Sequence, residues 1–251
     1  MENINEKSND VLLMFSGGRD SFLSACYLIE HGHRVHMTTF NNGCMSGENF
    51  VTDVARRVIE KYGESRATFV GIHSVAANLY KLQKDYLYKQ IKDTSDKYPA
   101  LRPAQLPCLA CHTAMYLESI AYCKTHKIRY LAEGARESQK FFVELPEMVE
   151  RYRELTSKNG IDLLLPVYDL VSDWERTLEL ADRGFIPKTL EPQCWIGCPL
   201  GEELSREEID SLAAFYDASV RPNLQSFIDA KVKARTINGE PIRWNHKEIY
   251  Y

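Results

Sequence analysis

An α/β fold, an open parallel sheet with helices on both faces, is predicted for this 251-residue chain by two observations. Short apolar runs of the fully buried type alternate with stretches of helical period along the first two-thirds of the sequence. Between the first such run, VLLMF, and the first helical stretch, FLSACYLIEHG, the loop FSGGRDS (residues 15–21) spends two glycines and a serine on one turn. In an open parallel sheet, the loop after the first strand borders the ligand crevice at the carboxyl ends of the strands.

The elements follow in order. VLLMF reads as a strand, and the helix after the loop runs to His31, with Gly32 as its stop. HRVHMTTF is the second strand, and a helix from about Phe50 to Tyr62 is closed by Gly63. ATFVGI is the third strand, and a long amphipathic helix is expected from about Ala77 to Tyr98. A helix from about Leu109 to His126 leads to the fourth strand, IRYLAEG. A helical stretch across 141–157 precedes the fifth strand, DLLLPV. SDWE at 172–175 fits a capping box, Ser172 capping and Glu175 reaching back, for a helix ending near Arg183. Beyond this the pattern changes. IPKTLEPQCWIGCPLGEEL carries prolines and two cysteines, a helix begins near Arg206, and the tail INGEPIRWNHKEIYY has no clear period. The expected division is therefore an α/β domain at 9–186 and a cysteine-bearing helical extension at 187–251, packed on the same domain.

Composition narrows the function classes. With 44% hydrophobic and 26% charged residues the chain reads as a globular protein with a full core. No stretch approaches the roughly 18–20 apolar residues of a membrane span, and MENINEKSND lacks the parts of a secretory signal, so a cytoplasmic protein without a membrane partner is expected. The formal charge of −4 excludes a protein that is basic all over. Seven cysteines (26, 44, 108, 111, 123, 194, 198), some closely spaced, suggest metal or redox chemistry in a reducing compartment.

The glycine loop has a direct chemical reading. Gly17 and Gly18 let backbone N–H groups approach phosphate oxygens, the helix N-terminus adds partial positive charge, and Ser16 and Ser21 add hydroxyl donors. Asp20 would repel phosphate unless a divalent cation lay between them, which points to Mg²⁺ carried with a nucleotide. A plain glycine turn with Asp20 and Ser21 at a helix start is the structural alternative. Arg19, Arg136 and Lys140 are expected at the crevice, where positive charge would balance phosphate. Cys108 and Cys111 form a C-x-x-C at a helix start, a spacing at which two thiolates share one metal or cluster, or form a redox pair. Cys194 and Cys198 follow in PQCWIGCP. Cys26 and Cys123 read as core thiols, Cys44 as a loop cysteine near the crevice, and His112 as a helix-start residue. Lys231, Lys233 and Arg235 form a short basic run that would suit an RNA backbone or a solvated face.

SGGRDS after the first strand resembles the S-G-G-x-D-S loop of the PP-loop ATP pyrophosphatases, of the HUP type of fold. HMTTF matches that superfamily's adenine-binding strand end, and YLAEGARESQ resembles its A-T-G-H-N-x-D-D segment, with Arg136 and Glu137 departing from the pattern. The resemblance implies ATP and Mg²⁺ as cofactors and formation of AMP and pyrophosphate. It places Ser16, Gly17, Gly18, Arg19, Asp20, Ser21, Thr39, Phe40 and Gly134 around the nucleotide, with Asp20 and Arg136 in catalysis. The cysteine arrangement is similar to the tRNA-thiolating branch, in which three cysteines hold a [4Fe–4S] cluster with one iron open. Cys108, Cys111 and Cys194 match those positions, and Cys198 is an added candidate whose binding would close the site around zinc or a structural cluster. The implied partners are tRNA or a small nucleobase substrate and a sulfur donor, and the reading admits a homodimer. A zinc-bearing enzyme resembling 7-cyano-7-deazaguanine synthase and a non-catalytic nucleotide sensor are the alternative readings.

Overall fold

The computed structural model describes residues 9–84, 97–186, 193–194, 203–237 and 240–241. All five expected strands form, as β1 (Asp10–Met14), β2 (Arg34–Asn41), β4 (Ala67–Ser74), β5 (Tyr130–Glu133) and β6 (Asp162–Leu164), in one sheet of order β4-β2-β1-β5-β6. Every pairing in that sheet is parallel. A further short strand, β3 (Met45–Ser46), pairs antiparallel with β7 (Gln193–Cys194), setting Met45 opposite Cys194. β8 (Thr236–Ile237) and β9 (Glu240–Pro241) form a second small ladder.

β1 sits at the centre because both its faces are apolar. Val11, Leu13 and Phe15 join one buried cluster, and Leu12 and Met14 the other. Each such side chain removed from water contributes about 1.5–3 kcal/mol, which favours the strand with helices on both sides. One layer holds α1 (Arg19–Glu30), α2 (Glu48–Tyr62) and α6 (Asp173–Asp182). The other holds α3 (Ala76–Leu82), α4 (Leu106–His126), α5 (Pro146–Lys158), α7 (Arg206–Phe215) and α8 (Leu224–Arg235). Leu212 and Phe215 of α7 and Leu224 and Ile228 of α8 share the core of α4 and α5.

Three expectations about helices are corrected. The helix expected from Ala77 to Tyr98 is helical from Ala76 to Leu82, residues 85–96 lie outside the described residues, and 97–100 are not helical. Tyr98 instead packs edge-on against Phe215, ring centroids 5.8 Å apart, so its apolar position serves a tertiary contact. The stretch 141–157 is a 3₁₀ turn at Phe142–Glu144 followed by α5, because Pro146 starts the helix where no N–H is needed. Ser172 caps α6 by accepting from the N–H groups of Trp174 and Glu175, while the complete capping box is at α7, where Ser205 and Glu208 reciprocate.

The basic run of α8 does not face outward as an RNA contact would. Lys231 and Arg235 both pair with Glu118, whose side chain is 5% exposed, and Asn78 also donates to that carboxylate; Lys233 alone of the three is exposed. A buried carboxylate needs such partners, so the pair fastens α8 to α4.

Candidate functional site

The strand order reverses direction between β1 and β5, and the loops after these two strands face each other there, as a crevice at such a switch point requires. Gly17 takes φ +78°, and a Cβ on it would stand 3.1 Å from the Cα of Val51 in α2. Across the crevice, a Cβ on Gly134 would stand 2.7 Å from the Ser21 nitrogen and 2.9 Å from Asp20 backbone carbon. Only glycine permits this approach of the loop after β5 to the start of α1. The N-terminus of α1 carries no side-chain cap. Ser16 Oγ accepts from the Gly18 N–H at 3.3 Å and lies 3.1 Å from Ser21 Oγ, so the two hydroxyls close the turn. Thr39, at the end of β2, donates its hydroxyl to the Phe15 carbonyl at 2.6 Å, and Phe40 is buried in the core. The side chains of both are thus used in building the strand end.

Asp20 is the charged centre of this corner. Arg176 of α6 donates to its Oδ1, Arg136 Nε lies 3.0 Å from the same oxygen but outside hydrogen-bond line, and Gln139 Nε2 donates to Oδ2 at 2.9 Å. Arg176 also pairs with Asp173, which Arg136 approaches at 3.5 Å and Arg19 at 3.9 Å. Each Asp20 oxygen is therefore taken by a protein donor, and the Mg²⁺ expected there would have to share the carboxylate with Arg176 and Gln139. Glu144 lies beneath, taking a backbone hydrogen bond from Arg136, and burial pushes its acid well above the ordinary carboxylate range. Lys140, expected at the crevice, pairs with Glu203 on the rim of a neighbouring cavity of about 590 Å³. Glu137, Ser138, Tyr168 and Val171 also line that cavity, and no residue of the glycine loop is among its lining.

The thiols gather at the next strand. Cys108 and Cys111 occupy the opening turns of α4 as the spacing predicts. Asn42, directly after β2, donates its amide to Cys111 Sγ at 3.3 Å and Cys194 Sγ at 3.4 Å, and its carbonyl accepts from the Cys44 N–H at 2.8 Å. Burial pushes the Cys111 thiol up to about 11, the Asn42 bond opposes that shift, and charge at Cys194, Cys108 or Cys44 would add to it. Cys44 is thereby close to the group, while Cys198 lies outside the described residues. Among the described residues, no three His, Cys, Asp or Glu side chains stand at metal-holding spacing. The donors suit a soft metal or an iron–sulfur cluster, and Cys108, Cys44 and Cys194 are all near enough to Cys111 to act on its charge. Cys26 and Cys123 are fully buried core thiols.

Between the two corners, Glu133 at the end of β5 bonds His112 Nε2 at 2.5 Å and accepts from Tyr116 at 2.7 Å, so His112 is part of a buried network. Tyr116 stacks on Tyr152, centroids 4.1 Å apart. Sequence reasoning missed Asn42, Glu133, Gln139 and Arg176. For Asn42 the signal is the Asx-turn residue in NNGC, and for Arg176 it is the i,i+3 spacing from Asp173.

The family described as thiamine biosynthesis protein (ThiI) matches residues 6–139, more than half of the chain and all of its glycine loop. The chain belongs to that family. Membership bears out the resemblance to the PP-loop ATP pyrophosphatases and their tRNA-thiolating branch. Among solved structures, a 4-thiouridine synthetase–RNA complex with bound ATP is similar over 90% of this chain at 14% identity, with a TM-score of 0.63. At that identity the likeness shows the fold, and this chain spans 54% of that one. An NMN synthetase from Francisella tularensis (11% identity, 97% of this chain and 91% of that one) has a TM-score of 0.46, too low for argument. No curated protein matches the chain. Among the described residues, no helix is long and apolar enough to cross a membrane.

Proposed function

We propose that this protein is an ATP-dependent, AMP-forming enzyme that activates a carbonyl oxygen of an RNA nucleobase, in tRNA, and replaces it with sulfur. The observation that carries the reading is the convergence of two chemistries on one sheet edge: the uncapped glycine loop after β1, and the Cys111 and Cys194 thiols joined through Asn42 after β2. ThiI membership and the RNA- and ATP-bound synthetase of the same fold support it.

In this reading the backbone of Gly17 and Gly18, with Ser16, Arg19 and Ser21, holds the pyrophosphate of ATP, and the strand end at Thr39 and Phe40 borders adenine. Gly134 lets the loop after β5 close on the start of α1, where the α-phosphate would lie, and Arg136 offsets its charge. The nucleobase oxygen attacks the α-phosphorus, the bond to the β-phosphate oxygen breaks, and pyrophosphate leaves. A persulfide on one of the thiols, formed by transfer of sulfane sulfur from a persulfide donor, then attacks the activated carbon through its outer sulfur, and AMP departs with the oxygen. A second thiol attacks the inner sulfur, which releases the thiocarbonyl base and leaves a disulfide between the two cysteines. Oxygen needs this esterification because it is otherwise a poor leaving group. Cys108, Cys111 and Cys194 are the residues that handle sulfur. They are also the residues that would hold an iron–sulfur cluster or zinc, and a cluster would supply an open iron for sulfide.

Chromatography of nucleotide products tests the first half: with an unmodified RNA acceptor, ATP should yield AMP and pyrophosphate. ADP with orthophosphate would place the protein in another ATPase class. Iron, sulfide and zinc content of anaerobically purified protein tests the second half. Iron with acid-labile sulfide that depends on Cys108, Cys111 and Cys194 would replace the thiol-only account with a cluster, and zinc depending on all four cysteines would favour the deazaguanine-type reading.

A further inference from the structure

Arg176 lies outside the stretch that matches the family, on the helix after the last sheet strand, yet its side chain is 3% exposed and reaches the glycine loop. It places a guanidinium on Asp20 Oδ1, the same oxygen that Arg136 approaches at 3.0 Å. One carboxylate oxygen thus faces two buried cations. The second acid of the group, Asp173, has a side chain 68% exposed, so solvent weakens what it offsets. The Nε atoms of both arginines are buried without a hydrogen-bond partner. Such orphaned donors are costly in a closed site, so the two guanidiniums hold donor capacity that the protein's own acceptors do not fill. The uncapped start of α1 adds further positive potential at the same point.

We propose that Arg176 is a pyrophosphate-binding residue, held on Asp20 before the nucleotide arrives and passed to a phosphate oxygen when it binds. The inference rests on the ATP reading above and adds to it a residue that the glycine loop does not contain. The planar guanidinium matters, because it holds Asp173 with one nitrogen while presenting others to the crevice. The ligand class is a linked phosphate anion, pyrophosphate or the triphosphate end of ATP. AMP, whose single phosphate lies toward Gly134, does not engage Arg176.

The test is calorimetric titration of the full chain with pyrophosphate, ATP and AMP separately, for the parent protein, Arg176→Ala and Arg176→Lys. Arg176→Ala should weaken pyrophosphate and ATP about 10- to 100-fold and AMP less than twofold. Arg176→Lys keeps the charge without the fork and should lose roughly tenfold for pyrophosphate and ATP but not for AMP. It decides the matter should the alanine variant fail to fold. Equal weakening of all three ligands would mean a structural role and overturn the proposal, as would unchanged binding of all three in both variants. Absence of ATP binding by the parent protein would instead remove the ATP reading on which the proposal stands.

Discussion

At the glycine loop, two buried guanidiniums, a glutamine amide and a glycine with no room for a Cβ fix one carboxylate. At the cysteines, one Asn42 amide and a two-residue ladder bring two thiols together, and Cys194 is exposed. The phosphate corner is therefore preorganised, as stabilisation of charge developing on a phosphate demands. The thiol corner has an open side, which suits a group that must take sulfur from a donor and give it away. The same contrast exists between helix starts: α1 has no side-chain cap for its N-terminal donors, whereas the Ser205 and Glu208 box at α7 satisfies its own.

Breaking the phosphate corner should have the largest effect. Asp20→Asn is expected to lower AMP formation about 100-fold or more, because the two arginines lose the charge that aligns them. It should also cost about 3 kcal/mol of stability, since removing one partner of a buried pair leaves uncompensated charge. Alkylation of Cys194 should not change in the folded variant, and a parallel change there would dissolve the distinction between the corners. Gly134→Ala comes next. The added methyl would press on the backbone of both Asp20 and Ser21, which must shift at a cost of about 1–3 kcal/mol. Pyrophosphate affinity should fall roughly tenfold, read by titration, and unchanged affinity would mean the two loops are not held at contact distance.

A smaller effect belongs to Glu144. Its folded acid is raised above its ordinary value of 4.5, first by burial and then by the charges of Glu133 and Asp20. A raised carboxyl contributes stability that is fully present below that ordinary value and is lost as pH rises toward the folded one. Glu144→Gln stays neutral throughout, so its melting temperature should gain on that of the parent between pH 5 and pH 8, by about 2–4 °C for each kcal/mol involved. A constant difference across that range would show that the acid is paired and charged in the folded protein.

The sheet was legible because each strand is an apolar run bounded by turn residues, and two buried faces leave no polar alternation to misread. The first turns of α4 were legible from the C-x-x-C, and Ser172 from the cap position. What was hidden depends on long-range pairing. Arg176 meets Asp20 across 156 positions and Asn42 meets Cys194 across 152, so the local signals at these residues, the Asp173 spacing and the Asx turn, name neither long-range partner. The helix expected to reach Tyr98 shows the converse, since an apolar position at helical spacing was used by Phe215 of α7. Lys231 and Arg235 were read as a surface run because nothing local announces Glu118, a buried acid on another helix.

The central claim is that one corner activates and the other delivers sulfur, and Cys111→Ser tests it when AMP release and sulfur incorporation into the RNA acceptor are counted in the same reaction. Serine keeps a small hydrogen-bonding side chain beside Asn42 but cannot carry sulfur. The account predicts that AMP release persists within a few-fold while sulfur in the RNA falls about 100-fold or more. Sulfur incorporation at the parent level, or loss of both products together, would contradict it.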